Sequence, residues 1–370
     1  MKKNSSYLIN IALLAAIFFL TYRLMFADTE FSEILADMKT ASPGWLAVGV
    51  VTALLFGSCE GIVIRYMLHV MKQKTSTLSC LKYSFIGFFF SYITPSSTGG
   101  QPAQMYYMKK DGIKIGYSAI IMLLITIAYK AALLVMGLLC LILRHDAVRA
   151  FPESIYWMLV LGYVLSIGLI VILYLLLRKP VWVRDKGYKG IRFLVRKKLM
   201  REKTAERSEA KLTRICDNYQ VGAAYIKKNP RSVAMVFLIT AAERMFLTMI
   251  TWVIYKAFGL SGTGFWDIFT LQVLLTIAVE MLPLPGAAGV TEVSFLLIFT
   301  GIFTESLVKP ALLITRGLSF YLVLIVGALC TFYAHFMNMR RSRQRGEVYK
   351  PPHEDTEGDD DTHIDIETGS

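Results

Sequence analysis

The chain has 370 residues, of which 55% are hydrophobic, with a formal net charge of +13 and a mean hydropathy of +0.50. That is more apolar surface than a water-soluble domain of this length buries, so the composition predicts an all-α polytopic membrane protein and argues against a soluble enzyme. The five cysteines form no C-x-x-C pair, and the chain contains no H-E-x-x-H, G-x-S-x-G or Walker-type loop, so no disulfide framework, metal or cofactor is expected.

Tyr7 to Phe26 is long enough to cross a hydrocarbon core of roughly 30 Å, and is read as a retained helix because a signal-peptide apolar region would be shorter. Asp28, Glu30, Glu33 and Asp37 then make an acidic loop that completes an N-terminal unit, 1–42. Trp45 to Val70 is the next span. It carries Glu60 and Arg65, with Gly57 and Gly61 in small-xxx-small spacing that admits a neighbouring backbone.

The run Leu78 to Ile93 leads into Thr94-Pro-Ser-Ser-Thr-Gly-Gly-Gln-Pro-Ala-Gln104, a set of helix breakers at membrane depth. Lipid offers no partners for freed backbone groups, so irregular chain there survives only around protein or a water-filled cavity. Lysines follow at 109, 110 and 114, matching those at 72 and 74 before the run. If positive clusters mark the cytoplasm, 94–104 is the tip of a re-entrant hairpin. Gly116 to Leu143 spans outward with Lys130 near its middle, closing a first repeat at 43–143, and Ile155 to Leu177 returns.

Arg178 to Arg214 holds 14 Lys and Arg against 4 Asp and Glu, the strongest sign of a cytoplasmic loop. It belongs to a connecting unit, 144–230. Ser232 to Phe258 then spans outward with Glu243 and Arg244 near mid-depth. Phe265 to Leu282 descends to a second broken motif, Pro283-Leu-Pro-Gly-Ala-Ala-Gly-Val-Thr-Glu292, with Glu280 just before it. Val293 to Phe303 climbs back, and Ala311 to Met337 crosses inward with Arg316 in its outer portion. This second repeat occupies 231–338, and the acidic tail, 339–370, is expected to be disordered and cytoplasmic like the N-terminus.

The second motif lies on the first without a gap, Pro283 on Pro95 and Glu292 on Gln104. Each repeat therefore has a spanning helix with Glu and Arg, a broken re-entrant pair and a spanning helix with a cation, in opposite orientations. Inverted-topology repeats with two broken segments are a recurrent transporter design, and the breaks point to the binding site. Each half-helix start would offer unpaired N–H groups to an anion such as a phosphate. Ser97 or Thr98 would cap the first, with Gly99 and Gly100 admitting a ligand beside Gln101 and Gln104; Gly286 and Gly289 would do so in the second. A charge at bilayer centre costs about 2.5 to 3.5 kcal/mol on insertion scales, so Lys130, Glu243, Arg244 and Glu280 should face inward and pair with each other or with substrate, and Glu60, Arg65, Glu292 and Arg316 are further candidates for substrate binding.

The P-S-S-T-G-G-Q-P-A-Q stretch followed by a lysine-bearing helix, and P-L-P-G-A-A-G-V-T-E followed by an arginine-bearing one, resemble the lysylphosphatidylglycerol synthase transmembrane family over residues 5 to 340. This is the flippase part of the bacterial multiple peptide resistance factor. The resemblance implies translocation of an aminoacylated phospholipid across the bacterial plasma membrane, contributing to resistance to cationic antimicrobial peptides. Full-length relatives add a soluble domain that lysylates phosphatidylglycerol. The longest hydrophilic stretches here, about 50 and about 30 residues, are too short for such a fold, so the resemblance implies lipid translocation rather than lysine transfer. Expected partners are the phospholipid, the membrane, and a second copy of the chain or a separate lipid synthase, with no nucleic acid. The alternatives are a polyprenyl-phosphate-linked lipid carrier and a membrane-embedded lysyltransferase-related enzyme that would hold tRNA on its basic loop.

Overall fold

A computed structural model describes residues 31–94, 97–197, 200, 202–282, 287 and 289–345. The expected N-terminal span, the acidic tail and seven motif residues, 95, 96, 283–286 and 288, lie outside the described residues.

Five described helices are long and apolar enough to cross a membrane: Pro43–Val70, Ile115–Leu143, Glu153–Leu175, Pro230–Ala257 and the long run Val290–Arg340. Their outer faces carry exposed large apolar side chains, among them Val51, Leu138, Val164, Ile325 and Phe332. Apolar surface on this scale fits a lipid solvent rather than water.

The fold is built around an antiparallel pair, α2 (Pro43–Val70) and α10 (Pro230–Ala257), each 28 residues long. Ser42 N–H donates to the Ala257 carbonyl at 2.8 Å, which fixes the start of α2 beside the end of α10. At the opposite end of this pair, α3 (Thr77–Ile93) enters the bundle and α4 (Gly100–Lys110) returns. Asp111, just past α4, bonds both Lys82 Nζ and the Tyr83 hydroxyl at 2.6 Å, so the chain comes back to the level at which it went in. Eleven residues of α4 rise about 16 Å, roughly half a hydrocarbon core. The hairpin therefore reaches mid-depth and turns there.

A second hairpin enters from the other end. Phe265, at the start of α11 (Phe265–Glu280), packs edge-on against Trp252, which meets Trp45 of α2. The returning arm is the first half of α12 (Val290–Arg316), which ends where Phe303 meets Tyr255 near the end of α10. Thr304 then breaks the helix at φ 68°, ψ 161°, and the chain turns into the last span. That span continues through a π-helical turn, Gly317–Leu322, into α13 (Val323–Arg345).

The last span of each half packs against the first arm of the other half's hairpin. A Cβ on Gly327 of α13 would stand 2.4 Å from the Phe85 carbonyl of α3, and one on Gly137 of α5 (Ile115–Leu143) would stand 2.4 Å from Ile277 Cδ1 of α11. This exchange of contacts is what an inverted repeat predicts. Single cysteines at 110 and 304, in a chain freed of its native five, should react with an impermeant thiol reagent from opposite sides of a sealed vesicle. Reaction of both from one side would contradict opposed hairpins.

Three stretches differ from the sequence expectation. The acidic loop contains a helix, α1 (Phe31–Met38), whose Ile34 is buried and which leaves Glu33 exposed. The basic loop is largely a helical pair, α8 (Pro180–Arg196) and α9 (Glu202–Lys228), closed by Leu212 lying over Gly187 and by a Tyr188–Thr213 hydrogen bond. Helical amphipathicity inside a charged segment was masked there by the charge density. Finally, the last span begins at Thr304 rather than at Ala311, because Pro310 sits within the new helix instead of bounding it. The remaining helices, α6 (His145–Arg149) and α7 (Tyr156–Arg178), carry the chain between the two repeats.

Candidate functional site

The two hairpin tips meet a cavity of about 210 Å³. Its wall takes Tyr92 and Ser97 from the first hairpin, Tyr129 from α5, Glu280 and Ala287 from the second, and Arg316 with Ser319 and Phe320 from the last span. Ser319 and Phe320 sit in the π-helical turn, a deformation that often marks functional sites because it re-aims side chains out of the helical register.

The first tip is closed by a residue outside the expected set. Thr94 Oγ1 accepts from Gly99 N–H at 2.9 Å and donates to the Phe90 carbonyl at 2.6 Å. Gly99 is the N-cap residue, so the closing hydroxyl comes from Thr94, which the turn folds back, rather than from Ser97 or Thr98. Ser97 instead reaches the cavity wall in a left-handed conformation, φ 54°. Gly99 and Gly100 bring the two arms of the hairpin into close contact. A Cβ on Gly100 would lie 2.0 Å from Ser91 Oγ and 2.7 Å from the Gly87 carbonyl, and one on Gly99 would lie 2.6 Å from Thr94 Cγ2. Gln101 ties the tip to α5 through Thr126 Oγ1 at 2.6 Å.

The second tip shows how a half-helix start can satisfy itself. Gly289, at φ 85°, donates its N–H to Glu292 Oε2 at 2.6 Å. Glu292 Oε1 accepts from Arg316 Nε at 2.7 Å. This carboxylate thus takes a backbone donor that the sequence reading offered to a ligand anion. Gly286 lies outside the described residues.

The buried charges are paired across elements. Lys130, 8% exposed, bonds Glu280 of the second hairpin, 150 residues away in sequence. Arg244 bonds its neighbour Glu243, and its guanidinium also lies 4.3 Å from the Tyr129 ring centroid and 5.3 Å from that of Phe56. Gln104, 1% exposed, donates to Glu60 Oε1 at 2.5 Å. Arg65 stands apart: it is half-buried further along α2 and makes no ion pair among the described residues. Arg316, expected near the outer surface, instead shares the cavity wall with Glu280, because its span starts earlier than Pro310 suggested.

Sequence reasoning missed Tyr92, Tyr129, Gln272 and Thr315. Tyr92 OH donates to the Ser319 carbonyl at 3.3 Å and its ring stacks on Phe320, joining the first hairpin to the last span. A polar stripe was available as a signal: Gln272 with Thr276, and Thr315 with Ser319, each lie one helical turn apart within apolar helices.

The chain is similar in sequence to known membrane proteins. A membrane protein of Archaeoglobus fulgidus, described as a UPF0104 membrane protein, is 22% identical over 317 residues, covering 84% of this chain and 93% of its own. The family described as the lysylphosphatidylglycerol synthase TM region matches residues 7–327, both hairpins included, and the chain belongs to that family.

Proposed function

We propose that the chain is a lipid flippase or scramblase of the bacterial plasma membrane that carries an aminoacylated phospholipid, of the lysylphosphatidylglycerol kind, between leaflets. The observation that carries this reading is a cavity at the junction of two opposed hairpins, in which charged and hydroxyl side chains stand among apolar ones, inside a bundle whose exterior is apolar. On its wall stand Arg316, suited to a phosphate, and Glu280, suited to an ammonium. Glu280 Oε2 and Thr315 Oγ1 are buried with no hydrogen-bond partner among the described residues, and buried polar atoms are costly unless paired. A headgroup with charges of both signs would meet these groups while its tails stay in hydrocarbon. In a cell that makes such lipids, their display on the outer leaflet would lower the attraction for cationic peptides.

The test is translocation of headgroup-labelled lysylphosphatidylglycerol in proteoliposomes containing this protein alone. Rates above empty liposomes, reduced at least tenfold by Arg316→Gln, are expected. Equal rates in all three would reject the reading, and activity confined to polyprenyl phosphates would transfer the site to that lipid class. Lysine transfer from charged tRNA to phosphatidylglycerol by the same preparation would instead favour an enzyme.

A further inference from the structure

The buried charges do not balance. Among the described residues, the membrane-depth network holds four carboxylates, Glu60, Glu243, Glu280 and Glu292, and three cations, Lys130, Arg244 and Arg316. Each cation is committed: Lys130 to Glu280, Arg244 to Glu243, Arg316 to Glu292. The remaining carboxyl, Glu60, faces a neutral partner, the Gln104 amide. An ionised carboxylate at this depth whose direct partner is an amide, with the nearby Arg244 already bonded to Glu243, is poorly compensated, whereas a protonated one still accepts the Gln104 hydrogen bond through its carbonyl oxygen.

We propose that Glu60 is a proton-binding site, and that its proton leaves as the cation of the lipid headgroup enters the cavity, whose wall residue Tyr92 is electrostatically linked to Glu60, so that lipid movement is coupled to proton movement. This rests on the lipid-transport reading above. The exchange is a simple acid–base step. As the ammonium enters the cavity beside Glu280, the Glu60 carboxyl releases its proton to solvent and becomes a carboxylate; as the ammonium leaves, the proton returns.

The surroundings suit this role. From α10, Glu243 and Arg244 reach Glu60 electrostatically, and from α3 so does Tyr92, which lines the cavity. The charges at the base of the first hairpin, Lys82 and Asp111, are joined to each other. From α5 come Tyr129, against Arg244, and Lys130, already paired. The π-helical turn and α13, which also touch α2, add Tyr321, Cys330 and, further along, His335. Glu60 is half-buried, and so within reach of a proton path, whereas Glu243 is 3% exposed beneath its arginine.

Two measurements decide it. Infrared spectra of the purified protein at neutral pH should show a protonated-carboxyl band that Glu60→Gln removes; this readout needs no transport. In proteoliposomes clamped at zero membrane potential, a pH gradient acidic on the receiving side should speed wild-type movement of lysylphosphatidylglycerol by about tenfold, and Glu60→Gln should abolish that response. A wild-type spectrum without the band, or with a band that survives Glu60→Gln, overturns the proton site. A present band with a wild-type rate indifferent to the gradient overturns the coupling. If no lipid moves in any preparation, the transport reading fails while the spectrum still decides the proton site.

Discussion

Lys130→Met should destabilise the folded protein by about 3–5 kcal/mol, because it leaves the Glu280 carboxylate buried without its cation. Thermal unfolding in detergent is the measurement, and Lys130→Met/Glu280→Gln is the informative partner. A pair replaced by neutral groups of similar size loses its attraction and its desolvation cost together, so the double variant should recover most of the stability. Lipid transport should not recover with it, since Glu280 lines the cavity. The sequence predicts a partner for Lys130, and its pairing with Glu280 of the other repeat is what makes the single variant costly. If the single variant were as stable as wild type, the pair would contribute nothing to the fold.

Gly100→Ala should be the most damaging single methyl group in the first hairpin. The added carbon meets the Gly87 carbonyl as well as the Ser91 side chain, and a backbone oxygen cannot step aside as a side chain can. Overpacking of this kind costs about 1–3 kcal/mol, and here the strain falls on the contact that holds the tip at mid-depth. We expect loss of transport with a lowered unfolding temperature. Gly301→Ala is the control: its added carbon meets nothing within 4 Å, and in a helix interior alanine is favoured over glycine by up to about 1 kcal/mol. Equal behaviour of the two variants would mean that arm-to-arm contact in the first hairpin is not tight.

Much of this architecture is legible in the sequence because the bilayer leaves few choices. Breakers at Pro95 and Pro283, flanked by apolar runs and basic clusters, locate two hairpins, since nothing else explains irregular chain at that depth. Mid-membrane charges name most of the polar network for the same reason. Their partners are less legible. Lys130 finds Glu280 and Arg316 finds Glu292 through the packing of one repeat on the other, and no local spacing encodes that. The closing role of Thr94 was hidden because it depends on a turn that brings a residue back over five positions. The helices α8 and α9 were obscured by a charge density that, in the membrane-centred reading, spoke only of orientation.

The two tips also share a conformation. Ser97 at φ 54° and Ala287 at φ 50° both stand on the cavity wall in left-handed backbone geometry, which costs a residue with a Cβ about 1–2 kcal/mol. Together that is about 2–4 kcal/mol held at the meeting point of the hairpins. A two-state equilibrium moves from 1:99 to even with about 2.7 kcal/mol, half the amount that inverts it fully. The cocked tips thus hold an amount of free energy comparable with what shifts such an equilibrium, stored where the two hairpins meet.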